Sequence, residues 1–275
     1  QDQQGYMWLG TYEGLCRYDG STFKTFSLED GLTGNHIRAL CVGANGLMWV
    51  GTRDAGLFVY DGDSFRALNG EHAPGQKQIN HLFEDSSGVL WVGADDGLYR
   101  YVDDQFSRVS TEESDMVHFI MEDDDQSLVL ATEAGVIRFS DGRFENLSAP
   151  FGKQIAPARS VARHLDGSLL IGSHSGVYRL QDGRLEPLPG SVPEMRNILT
   201  DRKGHIWFSG DSGVYKLEGG QIVSYTKELG GLDTLAQSAS ISSRKRPQIE
   251  VLFSALCSKR ILQVSKYMNQ RFIGS

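Results

Sequence analysis

The sequence predicts an all-β protein in which one small antiparallel sheet is repeated around a ring. Three observations lead there. A motif first seen as GYMWLGTYEGLCRYDGSTF (Gly5–Phe23) returns as GLMWVGTRDAGLFVYDGDSF (Gly46–Phe65) and as GVLWVGADDGLYRYVDDQF (Gly88–Phe106). All four tryptophans occupy one column of that motif, at Trp8, Trp49, Trp91 and Trp207. Their spacings are 41, 42 and 116 residues, the last being three periods of about 39. Glycine is frequent (32) and proline scarce (7), the balance expected of many tight turns.

The long gap holds two weaker copies, Ser127–Phe144 and Ser168–Leu185, with Val129 and Leu170 in the Trp column; the sixth copy is His205–Ile222. Each copy divides into four short strands. An apolar run such as His36–Val42 comes first, then a turn with Asp and Gly (Asp85–Gly88, Asp201–Gly204), then the strand carrying the Trp column. A turn ending in Gly14, Gly56, Gly97, Gly135, Gly176 or Gly213 leads to the third strand. Asp19-Gly20, Asp61-Gly62, Asp141-Gly142 and Asp182-Gly183 then predict two-residue hairpins, because both central residues of such a turn need positive φ. A sheet of this kind has two apolar faces and cannot cover them alone; packing the sheets face to face around an axis does so, which defines a β-propeller. The tryptophans then fill the wedges between blades.

Residues 1–226 hold six clear blades. Residues 227–275, with Leu252–Ala255 in place of WVGT and Asn269–Phe272 in place of DGRF, are expected to be a degenerate seventh blade or an appended tail. Seven units of about 39 residues fit the length best. Blade 1 lacks its innermost strand, so ring closure is expected to be incomplete at the N-terminus. Upstream residues of a longer chain or part of the C-terminal tail would fill the slot, and an opening at Gln1, partway through a repeat, suggests a fragment of a longer protein.

The chain has 275 residues, 40% hydrophobic and 23% charged, with net charge −8. From Lys227 onward eight Lys/Arg face three Asp/Glu, so the body is more acidic than the total suggests. An acidic body excludes a nucleic-acid grip, which needs basic surface to displace counterions. Arg244-Lys245-Arg246 is either a solvated loop or an interaction patch. Cys16, Cys41 and Cys257 match no metal motif, and the first two lie in apolar runs, as small buried hydrophobes do. No run of 18 apolar residues is present, so no membrane contact is expected from this segment itself.

Two columns carry candidate chemistry. The turns between second and third strands contain Glu13, Asp54, Asp95, Asp96, Glu133 and Asp211, residue types that turns also select for local backbone bonding. Near the start of each innermost strand stands one polar residue between apolar flanks: Arg38, Asn80, His118, Arg159 and Arg196. Ring symmetry brings these five to one mouth. They form either a cup for a small anionic molecule or acidic sugar, since guanidinium groups suit carboxylate and phosphate, or a set of ties to neighbouring loop carboxylates. The seven histidines show no metal-ligand spacing, and no nucleophile elbow or phosphate-cradling loop is present. His118 and His174 could serve as acid and base, with nothing in the sequence to orient them. No cofactor is implied.

The pattern DxxGxxWxGTxxGLxRYDGxxFxxFxxxDGL (Asp2–Leu32) resembles the two-component regulator propeller repeat, and the resemblance extends to Tyr225. The tail departs from it. The resemblance implies the non-catalytic, periplasmic sensing part of a bacterial membrane receptor. In that family an immunoglobulin-like module, a membrane helix and a histidine-kinase or diguanylate-cyclase output follow, and the full-length receptor can be a homodimer. Two other classes stay open: a scaffold that binds protein through an exposed apolar patch, and a propeller lyase or glycosidase with a titratable pair in a cleft.

Overall fold

A computed structural model describes residues 1–109, 116–152, 155–201 and 203–226. Six antiparallel sheets follow one another along the chain. Blade 1 has three strands, Met7–Thr11, Gly14–Tyr18 and Phe23–Phe26. Blade 2 comprises Ile37–Val42, Met48–Thr52, Leu57–Tyr60 and Phe65–Ala67; blade 3, Ile79–Glu84, Leu90–Ala94, Gly97–Val102 and Gln105–Val109. Blade 4 comprises Val117–Glu122, Leu128–Thr132, Gly135–Ser140 and Arg143–Asn146; blade 5, Ala158–Arg163, Leu169–Ser173, Gly176–Gln181 and Arg184–Pro187. Blade 6 runs Met195–Thr200, Ile206–Gly210, Gly213–Glu218 and Gln221–Ser224. The innermost strands pack in chain order and the described sheets do not close into a ring. Residues 227–275, where the seventh blade was expected, lie outside the described residues.

The core is a series of wedges, one between each pair of successive blades. Neighbouring residues of a strand point to opposite faces, so Val50 joins the cluster toward blade 1 while Trp49 joins the cluster toward blade 3. Trp91, Val129 and Leu170 likewise face the following blade. Beyond the Trp column the chain needs a small residue, because the next innermost strand lies directly on it. A Cβ on Gly51 would stand 2.6 Å from Cγ2 of Ile79, and one on Gly10 2.6 Å from Cγ2 of Ile37. Cys16 and Cys41 are buried free thiols, and burial pushes the Cys41 thiol up to about 11.

The expected hairpins form in part. Asp141-Gly142 and Asp182-Gly183 both have positive φ at each residue, as do Asp103-Asp104 of blade 3 and Gly219-Gly220 of blade 6. In blades 1 and 2 only the glycines, Gly20 and Gly62, have positive φ. There the flanking pairs are Tyr18 with Phe23 and Tyr60 with Phe65, leaving four loop residues. Asp19 accepts from the N–H groups of Ser21 and Thr22 at 2.7 Å each, and Asp61 from those of Asp63 and Ser64 at 3.0 and 3.1 Å. The aspartate closes a local turn instead of taking the left-handed conformation.

The Asp-containing turn anchors the Trp column. Indole Nε1 donates to the carboxylate six residues earlier: Trp8 to Asp2 and Trp91 to Asp85 at 2.7 Å, Trp207 to Asp201 at 3.1 Å. Blade 2 has Gly43 at that position, and Trp49 Nε1 is buried without an acceptor among the described residues. Trp91→Phe is therefore expected to cost about 1–3 kcal/mol more than Trp49→Phe, because only the first strands a carboxylate. Denaturant unfolding of the two variants measures the difference.

Blades 4 and 5 lack the indole, and arginines take its place. Asp123, 4% exposed, is bonded by Arg138 at 3.2 Å and by Arg163 of the next blade. Arg138 is the cross-strand partner of Val129, as Arg17 is of Trp8. In blades 1 and 6 the cross-strand cation lies over the indole, Arg17 at 5.6 Å from the Trp8 ring and Lys216 at 5.6 Å from Trp207. Without one, the cation turns to the carboxylate.

The last residue of an innermost strand also reaches back one blade. Glu84 accepts from the Ala44 N–H at 2.9 Å. Glu122 accepts from Ser86 N–H at 2.9 Å and from its hydroxyl at 2.6 Å. Arg163 also reaches back one blade, but as a donor, to the Asp123 carboxylate.

Between blades 3 and 4, half-buried His81 accepts the Ile120 N–H through Nδ1 at 3.2 Å, with its ring 4.2 Å from that of Phe119. Burial lowers its pKa to about 4. Since the folded value lies below the unfolded value of about 6.5, stability is present above pH 6.5 and falls as pH drops toward 4, by about 2–3 kcal/mol. Chemical unfolding at pH 7 and pH 4.5 should show that loss, and His81→Asn, whose amide oxygen can take the Ile120 N–H, should shrink it.

Candidate functional site

All five predicted site residues occupy the same structural position, the second residue of an innermost strand. The backbone there holds a feature that residue counting missed. Ile37 pairs with Thr52 and Ala39 with Gly51, so Arg38 is an extra residue with no place in the ladder. The same one-residue shift occurs around Asn80, His118, Arg159 and Arg196. A bulge bends its strand and re-aims the inserted side chain. Five bulges at one end of five adjacent strands carry the column to one mouth.

The charges there act on one another across blades. Burial holds the Arg38 guanidinium below its usual pKa, with Arg53 and, from blade 6, Arg196 acting in the same direction; Tyr12 and Asp95 oppose them. His118 is depressed first by burial and then by Arg159, with Glu133 opposing and Arg38 adding a further small depression.

The ties to loop carboxylates come from the turn after the second strand. Asn80 donates to Asp95 at 2.9 Å, and Gln78 bonds both of them. Arg196 grips Asp211 with two bonds, Nε at 2.6 Å and Nη2 at 3.1 Å, which raises the arginine and lowers the aspartate. His118 Nε2 lies 2.8 Å from Glu133 Oε1. Blade 5 has Ser173-His174-Ser175-Gly176 in that turn and no carboxylate, so Arg159 crosses to blade 4. It stands 2.8 Å from His118 Nε2 and 3.4 Å from Glu133. His174 itself pairs with Glu194 at 2.5 Å.

One member of the site was passed over in the sequence. The turn residue facing each column residue is Asp95, Glu133 and Asp211 in blades 3, 4 and 6, but Arg53 in blade 2. The signal was visible in TRDAG set beside ADDG, TEAG and GDSG. A separate cavity of about 320 Å³, lined by Arg138, Phe151, Arg163, Asp166 and Leu180, lies at the opposite end of blades 4 and 5. Asp123 already pairs with both arginines that line it. Among the described residues no group of three or more His, Cys, Asp or Glu is placed to hold a metal ion, and no helix is long and apolar enough to cross a membrane.

Face-packed four-stranded blades around a mouth define a β-propeller, and solved propellers match it. The extracellular domain of the hybrid two component system BT3049 from B. thetaiotaomicron superposes with TM-score 0.67 at 20% identity, over 80% of this chain and 33% of that one. Virginiamycin B lyase from Staphylococcus aureus gives 0.66 at 13% identity, over 84% and 88%. The WD40 propeller domain of Doa1 gives 0.60 at 13% identity, over 82% and 83%. The chain thus spans about a third of the BT3049 domain. Residues 31–54 match the family model described as two component regulator propeller, so the chain carries that repeat. No curated protein is significantly similar to it in sequence.

Proposed function

We propose that this propeller is an extracytoplasmic sensor segment of a bacterial signal-transduction receptor, and that its bulged mouth binds a small anionic molecule or acidic sugar without transforming it. The observation that carries the reading is the five aligned bulges, which present Arg38, Asn80, His118, Arg159 and Arg196 together. The repeat at residues 31–54 and the likeness to an extracellular sensor domain support the signalling role and the periplasmic address.

A catalytic reading has one observation in its favour, His118 beside Glu133 in a fold shared with virginiamycin B lyase. The His118 pKa, depressed first by burial and then by Arg159, favours a neutral ring, a poor general acid at neutral pH. Calorimetric titration with small organic acids and acidic sugars tests the binding reading. The wild type should bind, and Arg38→Ala should bind at least tenfold more weakly. Equal binding by both proteins, or none by either, rejects it.

A further inference from the structure

The wedges between blades are not filled alike. Between blades 1 and 2 the Trp8 ring meets Tyr60 at 5.3 Å, between blades 2 and 3 Trp49 meets Tyr101 at 5.5 Å, and between blades 3 and 4 Trp91 meets Phe139 at 5.7 Å. In each pair the second ring stands four residues after the turn glycine of the later blade, Gly56, Gly97 or Gly135. Between blades 4 and 5 both rings are replaced by aliphatics: the column residue is Val129, and the residue four past Gly176 is Leu180. The wedge after it has Leu170 and Leu217 at these places, but buried Phe208 joins that cluster where blade 5 has Ile171. The cavity of about 320 Å³ opens between blades 4 and 5. Leu147, Leu169 and Leu180 form its apolar wall, and all three belong to the cluster that holds Val129. Arg138, the cross-strand partner of Val129, lines it as well, in the position from which Arg17 covers Trp8.

We propose that this wedge binds a small uncharged aromatic molecule, of one ring or two fused rings, seated where the first three wedges hold an indole of their own. The site lies apart from the mouth and uses none of its residues. Its volume falls at the lower end of the range for small-molecule pockets, about 300–1,000 Å³, and leucine-lined cavities take up small aromatic guests. Asp123 already pairs with the N–H edges of Arg138 and Arg163, so the pocket has no need of an anion. The flat face of a guanidinium is a separate surface from that edge and stacks on aromatic rings. The Arg138 side chain is 30% exposed, which leaves it within reach of a guest. Exposed Asp166 and Gln181 line the same cavity and offer acceptors for a ring N–H or O–H, while Asp166 and Asp182 together disfavour a carboxylate on that ring.

The test is a saturation-transfer NMR titration of the protein with indole, and with cyclohexanol as a non-aromatic probe. The wild type should bind indole saturably and cyclohexanol at least fivefold more weakly. Val129→Trp supplies the ring that blades 1–3 carry and should weaken indole binding at least tenfold. Leu180→Phe supplies the other ring and should weaken it at least threefold; this variant decides the matter if Val129→Trp does not fold. An excess of citrate, a small organic acid suited to the mouth, should leave indole binding unchanged. No saturable binding of indole by the wild type, undiminished binding by a folded filled-wedge variant, or competition by citrate overturns the wedge site. Equal affinity for cyclohexanol overturns the aromatic assignment. Failure of the mouth to bind anions touches none of these outcomes, so the two readings fail separately.

Discussion

Asp123→Ala is expected to destabilise the protein by about 3–5 kcal/mol. The carboxylate is 4% exposed and is the shared counter-charge of Arg138 and Arg163, whose side chains are 30% and 27% exposed. Removing one partner of a buried ion pair costs far more than the pair contributes, because the remaining charge stays desolvated. Here two cations would lose their shared counter-charge at a blade interface, Arg138 keeping only the more distant Asp125 at 3.9 Å. Asp85→Ala in blade 3 is the control. That aspartate serves an indole N–H and local backbone, so its loss should cost about 1–3 kcal/mol. Equilibrium unfolding in urea compares them, and a second comparison guards against simple misfolding: adding Arg138→Met and Arg163→Met to Asp123→Ala should restore most of the loss. A cost for Asp123→Ala no larger than for Asp85→Ala would contradict the shared-counter-ion assignment.

Phe26→Ala is expected to cost about 3–5 kcal/mol, the usual range for deleting a buried phenyl ring. Phe26 is 2% exposed and stands at the centre of an aromatic cluster between blades 1 and 2. It stacks on Trp8 at 5.2 Å and meets Tyr60 and Phe65 edge-on at 5.4 and 5.3 Å. Blade 1 has three described strands where the others have four, so it has less innermost-strand packing to fall back on. The loss should therefore be local. Limited proteolysis should release residues 1–26 before cutting elsewhere, and Phe26→Leu, which keeps most of the volume, should behave almost as wild type. Cleavage beginning in blades 3–6 instead would show that the cluster does not hold blade 1.

Much of this architecture was written in the sequence because it is local. The strand boundaries follow apolar runs, and the six turn glycines all adopt positive φ, from 76° at Gly56 to 138° at Gly14 and Gly97. Trp8, Trp49 and Trp91 lie in the wedges as expected, while half-buried Trp207 meets the ring of Tyr225 of its own blade at 5.4 Å. What could not be read depends on register or on residues a whole blade apart. The bulges are invisible to counting, since Ile37-Arg38-Ala39 has the same composition with or without a slipped hydrogen bond. The replacement of an indole by Arg138 and Arg163 joins Val129, Asp123 and a strand end 40 residues onward. The split fate of the Asp-Gly pairs turned on loop length, which the dipeptide does not encode. The site column was legible as a column; that Arg53 rather than a carboxylate follows the second strand in blade 2 was not, because the turn there is one residue longer than in blades 3, 4 and 6.

The backward reach of Glu84, Glu122 and Arg163 has a direction. Every one of these ties runs from a later module to an earlier one, never forward. A polypeptide leaving the ribosome or a translocation channel amino end first thus presents each new module with a docking partner already complete. Assembly can advance vectorially, with no need to wait for sequence still unmade.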